Sequence, residues 1–337
     1  MKRPLLTLLA TAMLFSPLAA VTAQADDVRS RMIRFGYGLN ESSNQGRAAK
    51  LFAEEVAKAS EGKLKMRTFA AASLGSDDQM QSALMGGAQE MMVGSTATLV
   101  GITKEMAVWD TPFLFSNEQQ ADAVLDGPVG RQVMDKLEEK GLVGLVYWEN
   151  GFRNMTNNAR PISKLEDFSG IKLRVMPNPV FLETFKLMGA NAVPLPFSEL
   201  FTALETKAVD GQENPFNTIL SSKFYEVQKY LTVTNHVYSP WIVTASKRWW
   251  DGLSATEQGI ILEAAKKARD FERQDTRAEA AKALAQLEEN GMQVNQISAE
   301  EMQRMRERAQ PAIQQVVDTV GQPLFDQVQA ELAKVAN

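Results

Sequence analysis

Ile171–Pro215, IKLRVMPNPVFLETFKLMGANAVPLPFSELFTALETKAVDGQENP, is the stretch whose reading decides the fold. Ile171-Lys172-Leu173-Arg174-Val175 alternates apolar and polar residues, which predicts a strand with Arg174 near its C-terminal end. Gly170 and Pro177 punctuate it on either side. Two amphipathic helices follow, then a turn at Asp210-Gly211 and a polar group, Gln212-Glu213-Asn214-Pro215. A planar guanidinium at a strand end matches a carboxylate with two parallel hydrogen bonds. In open α/β sheets, ligands sit outside the carboxyl ends of the strands, so the stretch suits the grip of an anionic solute.

Upstream, strands alternate with helices. Met32-Ile33-Arg34-Phe35 reads as a first strand, and Ser42-Ser43-Asn44 caps a helix with Ala48, Leu51, Phe52 and Val56 on one face. A second strand spans 63–69, a helix 77–84, and a third strand 90–93, which ends at Gly94-Ser95-Thr96. Ser116-Asn117-Glu118-Gln119 reads as a capping box. The run 142–148 is an apolar strand, and Glu149-Asn150-Gly151-Phe152-Arg153 leaves the sheet as a crossover between two lobes. Segments 231–236 and 241–245 read as returning strands. This order predicts a mostly parallel sheet in an α/β chain.

The last third changes character. After the capping box Ser254-Ala255-Thr256-Glu257 there is no proline up to Asn290 and one glycine, Gly259, so a single helix of over 30 residues is expected. At about 1.5 Å per residue such a helix outspans a small domain and suits a bridge between lobes. A dimerising coiled coil is the alternative, although the a/d pattern is not sustained.

Lys2-Arg3, an apolar run to Leu18 and Ala23-Gln24-Ala25 read as a secretory signal peptide cleaved after Ala25, which leaves Asp26 first. Loss of Lys2 and Arg3 leaves 34 basic against 41 acidic residues, a net charge of about −7 that argues against nucleic-acid binding. The chain has no cysteine and one histidine, His236, so neither a zinc cluster nor a Cys/His dyad is available. A serine triad would need His236, and no nucleophile elbow accompanies it. There is no Walker A sequence, and Gly36-Tyr37-Gly38 lacks the third glycine of a dinucleotide fingerprint. No motif asks for a cofactor. A two-carboxylate hydrolase stays open on sequence grounds.

Three motifs in order carry a resemblance: Gly170–Val175, Pro194-Leu195-Pro196-Phe197-Ser198-Glu199-Leu200, and Ala208-Val209-Asp210-Gly211-Gln212-Glu213-Asn214-Pro215. They are similar to the solute-binding proteins of TRAP (tripartite ATP-independent periplasmic) transporters, and the likeness runs from about Arg34 to the C-terminus. The resemblance implies a two-lobed periplasmic binding protein fold, each lobe a mixed sheet flanked by helices, joined by a long helix. With the signal peptide at 1–25, lobe I takes 26–150 plus 237–275, and lobe II takes 151–236 plus 276–337. The resemblance also assigns Arg174 to the solute's carboxylate, Arg153 and Asn214 to the same group, and Phe197 to a place near the ligand.

Around that centre, Ser95 is either a polar rim or a helix cap. Trp148, Asn150 and Trp241 flank the expected cleft, as sugar-ring contacts or as hinge packing. Asn40 and Asn44 either bond hydroxyls or cap a helix. Tyr147-Trp148-Glu149-Asn150-Gly151 and His236-Val237-Tyr238-Ser239-Pro240 look most like members that take sugar acids such as hexuronates or diketogulonate. Members for C4-dicarboxylates or sialic acid share the arginine. The family implies a monomeric periplasmic protein that delivers an organic acid to a small and a large membrane permease subunit, with no catalysis. A periplasmic enzyme acting on sugar acids and a sensory or structural partner are the competing classes.

Overall fold

The computed structural model describes residues 27–335. The expected signal peptide and the new terminus at Asp26 lie outside the described residues. Among the described residues there are eleven strands: β1 (Arg31–Tyr37), β2 (Leu64–Phe69), β3 (Met91–Ser95), β4 (Leu142–Phe152), β5 (Asn154–Asn157), β6 (Lys172–Val175), β7 (Asn191–Pro194), β8 (Gly211–Asn214), β9 (Tyr230–Val233), β10 (Tyr238–Ser246) and β11 (Gln293–Gln296). They form two mixed sheets, in the orders β2-β1-β3-β10-β4 and β11-β9-β5-β8-β6-β7.

In the first sheet β1 runs parallel to β2 and β3, and β10 runs antiparallel to β3 and β4. One face buries Phe35, Val93, Val146, Trp148 and Val243 with Phe52 and Val56 of helix Asn44–Ala59 and Ile261, Ala264 and Ala268 of the long helix. The other face buries Met92, Tyr147 and Ile242 with Trp109, Val124 and Val133. The second sheet is covered by Phe181, Phe185 and Met305 on one side and by Leu204, Ile219 and Leu287 on the other. Each sheet therefore has its own two-layer cover, which makes two lobes.

The chain crosses between sheets at Arg153, where β4 passes into β5, and again between β9 and β10. The two crossings hold each other. Arg153 N–H donates to the Val237 carbonyl at 2.9 Å, and His236 N–H donates to the Arg153 carbonyl at 3.3 Å. The third link is helix Ala255–Glu289, opened by a Ser254/Glu257 capping box. Its first half packs on the first sheet, while Leu287 packs on the second. Among the described residues no helix is long and apolar enough to cross a membrane.

Several expectations change. The sheets are mixed and not mostly parallel, and residues 149–152 stay in β4, so the chain leaves the first sheet only at Arg153. Gly211 does not turn the chain but begins β8, because its backbone lies against the Thr156 carbonyl and Asn157, where a Cβ would collide. The helix expected after Ser116 starts at Glu118, with Asn117 as the cap that accepts Gln120 N–H at 2.9 Å. Residues 276–337 do not all join the second lobe. Val316, Val320, Leu324, Val328 and Leu332 of helices Gln310–Val320 and Gln322–Lys334 pack with Trp109 and Val124 on the first.

Candidate functional site

A cavity opens between the lobes, lined from the first by Gly38, Gln45, Asp77, Ser95, Thr98, Asn150 and Trp241, and from the second by Arg153, Arg174, Phe197, Asn214 and Thr218. The pleat explains how Arg174 reaches it. Leu173 and Val175 anchor β6 in the core of the second lobe. The guanidinium Nε donates to the Leu195 carbonyl at 2.8 Å, which fixes its plane. Arg174 is 1 % exposed, yet its Nη1 has no hydrogen-bond partner. Burial lowers the pKa to about 10, partly offset by Glu213, so the group is charged at neutral pH.

Arg153 is equally buried and pairs in a fork with Glu213, Nε on one carboxylate oxygen and Nη2 on the other. Its Nη1 is also unpartnered. Glu213 additionally accepts from His236 Nε2 at 3.0 Å. Burial would raise the Glu213 carboxyl, but the Arg153 charge and the His236 hydrogen bond outweigh it and hold the pKa below the ordinary value. Burial lowers the pKa of His236 against the pull of Glu213, so the ring is neutral, with Nε2–H toward Glu213 and Nδ1 facing the Thr234 hydroxyl at 2.8 Å. The lone histidine is a prop for the carboxylate that orients Arg153.

Farther in, Asn178 Nδ2 donates to Asp110 at 2.8 Å. Burial pushes the Asp110 carboxyl up to about 8, against that hydrogen bond and the Arg153 charge. This acid therefore holds its proton far more tightly than an exposed carboxyl and offsets the arginines less. Two buried guanidiniums, each with an N–H left unpaired, form a site for an anion, because an unpaired buried donor costs about 1–3 kcal/mol until a partner arrives. Among the described residues no cluster of three or more His, Cys, Asp or Glu is placed to hold a metal.

Six of the eight residues expected at the site line the cavity together: Arg174, Arg153, Asn214, Phe197, Ser95 and Asn150. Ser95 also accepts Ala97 N–H at 3.3 Å, so it is both rim and cap. Asn150 accepts the Thr218 hydroxyl at 2.9 Å across the lobes. Trp241 lines the cavity as well. Trp148 does not; it shares the core face of β4 with Val146, its ring 6.3 Å from that of Phe35. Asn40 does not either, because its amide is spent on the Ser221 carbonyl at 2.6 Å. Asn44 is held by Thr276 at 2.7 Å on the long helix.

Sequence reading missed Asp77, Gln45, Thr98 and Thr218. The signal for Asp77 was present: Ser76 and Gln79 form a capping box, which opens a helix beside the carboxyl end of β3. Asp77 accepts Ser95 N–H at 3.0 Å, and burial pushes its carboxyl up to about 6.

Residues 35–319 match the family described as bacterial extracellular solute-binding protein, family 7. The chain is 36 % identical over 283 residues to the 2,3-diketo-L-gulonate-binding periplasmic protein YiaO of Escherichia coli, covering 84 % of this chain and 86 % of that one. It is 49 % identical, with a TM-score of 0.90, to the sugar acid binding protein DctPAm of Advenella mimigardefordensis in complex with galactonate, covering 92 % and 100 % of the two chains. A TRAP periplasmic solute-binding protein of Polaromonas sp. bound to D-erythronate superposes with a TM-score of 0.85 at 37 % identity, covering 89 % and 98 %.

Proposed function

The chain belongs to the family 7 bacterial extracellular solute-binding proteins, and from that premise we propose that it captures a sugar acid by its carboxylate and hands it to a TRAP membrane permease. The observation that carries this reading is the pair Arg174 and Arg153, both buried, both lining one cavity, each with an unpaired Nη1. Around them Asn150, Asn214, Ser95, Thr98 and Thr218 line the same cavity with polar side chains that can donate to and accept from hydroxyls. Diketogulonate, galactonate and erythronate, the solutes named for relatives, each combine one carboxylate with several oxygen substituents.

In this reading lobes I and II close over the solute. Closure removes water from the site and strengthens the ion pair. The protein works as a monomer in the periplasm after the signal peptide at 1–25 is removed, and it releases its ligand unchanged. A thermal-shift panel of hexuronates, aldonates, diketogulonate, C4-dicarboxylates and sialic acid tests the assignment, because a ligand that binds only the folded state raises the melting temperature. The expected result is a shift with a sugar acid and recovery of that acid intact after incubation. A shift only with succinate-type diacids, or turnover of the acid, overturns it.

A further inference from the structure

We propose that Phe113 is a pin through the hinge. Its backbone is held in a strained turn so that its amide and its ring tie the first lobe to two segments that cross between lobes, and the pin limits how far the unliganded protein opens. The inference stands apart from the identity of the solute.

Thr111-Pro112-Phe113-Leu114 form a turn, closed by Leu114 N–H on the Thr111 carbonyl at 3.3 Å. Phe113 takes the third position with a φ of 58°. Glycine or asparagine is usual there, because a side chain crowds the backbone at positive φ. A bulky ring in that conformation is strained and persists only where its surroundings hold it. Asn235, in the facing crossing between β9 and β10, also has a positive φ of 41°, but it is of a type that tolerates one.

What holds Phe113 lies in the other lobe. On either side of the turn, Trp109 and Phe115 are buried in the core of the first lobe. The Phe113 ring instead packs against the core of the second, which includes Met155, Phe168 and Met305. Arg306 lays its guanidinium over that ring, 4.5 Å from the centroid. The Phe113 N–H donates to the His236 carbonyl at 2.9 Å, at the second crossing. Arg306 stands just before Ala309, where the chain crosses once more. Met305 of helix Ala299–Arg308 belongs to the second lobe's core, and Val316 of helix Gln310–Val320 belongs to the first. Asp110, at the start of the same strap, accepts from Asn178, the cap of helix Pro179–Leu187 in the second lobe. Rotation of one lobe against the other must slide the ring off this seat. Contacts made in only one of two conformations bias the balance between them.

The chain has no cysteine, so Lys50→Cys and Glu205→Cys, at exposed positions on helices of the first and second lobes, take spin labels uniquely. Double electron–electron resonance on the unliganded full chain reads the distance between them. Arg306→Ala leaves the turn intact and is expected to raise the longer-distance population by about two- to fivefold, the weight of one exposed cation–π contact. Phe113→Asn suits the left-handed turn but has no ring. It is expected to raise that population further while the melting temperature falls little, because relief of strain offsets lost packing. An unchanged distribution in a folded Phe113→Asn variant overturns the pin and leaves Phe113 a turn residue. If that variant shows no cooperative melt, Arg306→Ala decides, and an unchanged distribution there overturns the pin as well.

Discussion

The Asn40 side chain donates a 2.6 Å hydrogen bond to the carbonyl of Ser221, joining the loop after β1 to the end of helix Phe216–Ser221 in the other lobe. Its Oδ1 meanwhile accepts from Ser42 N–H and from the Ser42 hydroxyl, which holds the loop in shape. Beside it Arg47 pairs with Asp275 of the long helix. Asn40, read from the sequence as either a hydroxyl contact or a helix cap, thus bonds across the cleft.

Asn40→Asp keeps the acceptor within the loop and removes the donor to Ser221. Loss of one such bond costs about 0.5–1.5 kcal/mol, so ligand release is expected to quicken by roughly two- to tenfold. Stopped-flow dissociation measures this directly. An unchanged release rate would show that the contact does not hold the closed form.

Arg174→Ala is expected to weaken sugar-acid binding by about 2–5 kcal/mol, because the ligand carboxylate would be buried against no partner. Arg174→Lys should recover only part of that, since an ammonium cannot bond the Leu195 carbonyl and a carboxylate fork in one plane. Titration calorimetry on variants whose melting is intact checks both. A loss below about threefold in the alanine variant contradicts the assignment.

Much of this frame was legible before any coordinates. The proline-free run after Ser254 gave the bridging helix, because helical continuity over that length is written in local composition. The strands β5, β8 and β11, by contrast, read Asn-Met-Thr-Asn, Gly-Gln-Glu-Asn and Gln-Val-Asn-Gln. They carry no apolar alternation, and pairing with neighbours sets their conformation. The strand end that carries Arg174 was legible from alternation, whereas its assignment to a carboxylate came from the family resemblance and not from its position. Trp148 misled because alternation groups it with Val146 without saying whether their shared face meets the core or the cleft. The Glu213–His236 support was out of reach, since 23 residues separate partners that only the two lobe crossings bring together.

Glu213→Gln keeps the shape of the Arg153 fork and removes its charge. Breaking a buried ion pair from one side typically costs about 3–5 kcal/mol, since the remaining charge is left uncompensated. Both partners here are at most 1 % exposed. A drop of that order in chemical denaturation is expected, accompanied by loss of the His236 contact. A cost below about 1 kcal/mol would mean that Arg153 finds its counter-charge elsewhere.

Glu272 gives the stability of the hinge a pH dependence. Fully buried on the long helix, it accepts Glu149 N–H at 2.7 Å and the Thr276 hydroxyl at 2.7 Å. Burial pushes its carboxyl from an ordinary 4.5 up to about 8, against the Glu149 hydrogen bond. The folded protein therefore keeps a proton that the unfolded chain has already released. The stabilisation from this group is complete below the unfolded value and is lost as pH rises through about 8. Glu272→Gln fixes the neutral form, its amide nitrogen facing the Thr276 hydroxyl, which accepts as well as it donates, and the Asn44 amide, which can turn its unpartnered oxygen toward it. The variant should melt with little slope over the interval in which the wild type declines. At the alkaline end it should exceed the wild type by on the order of 2–4 kcal/mol. Calorimetric melting at stepped pH reads the difference between the two proteins, which cancels the other acids that titrate in both. Parallel curves would place the Glu272 proton outside the folding equilibrium.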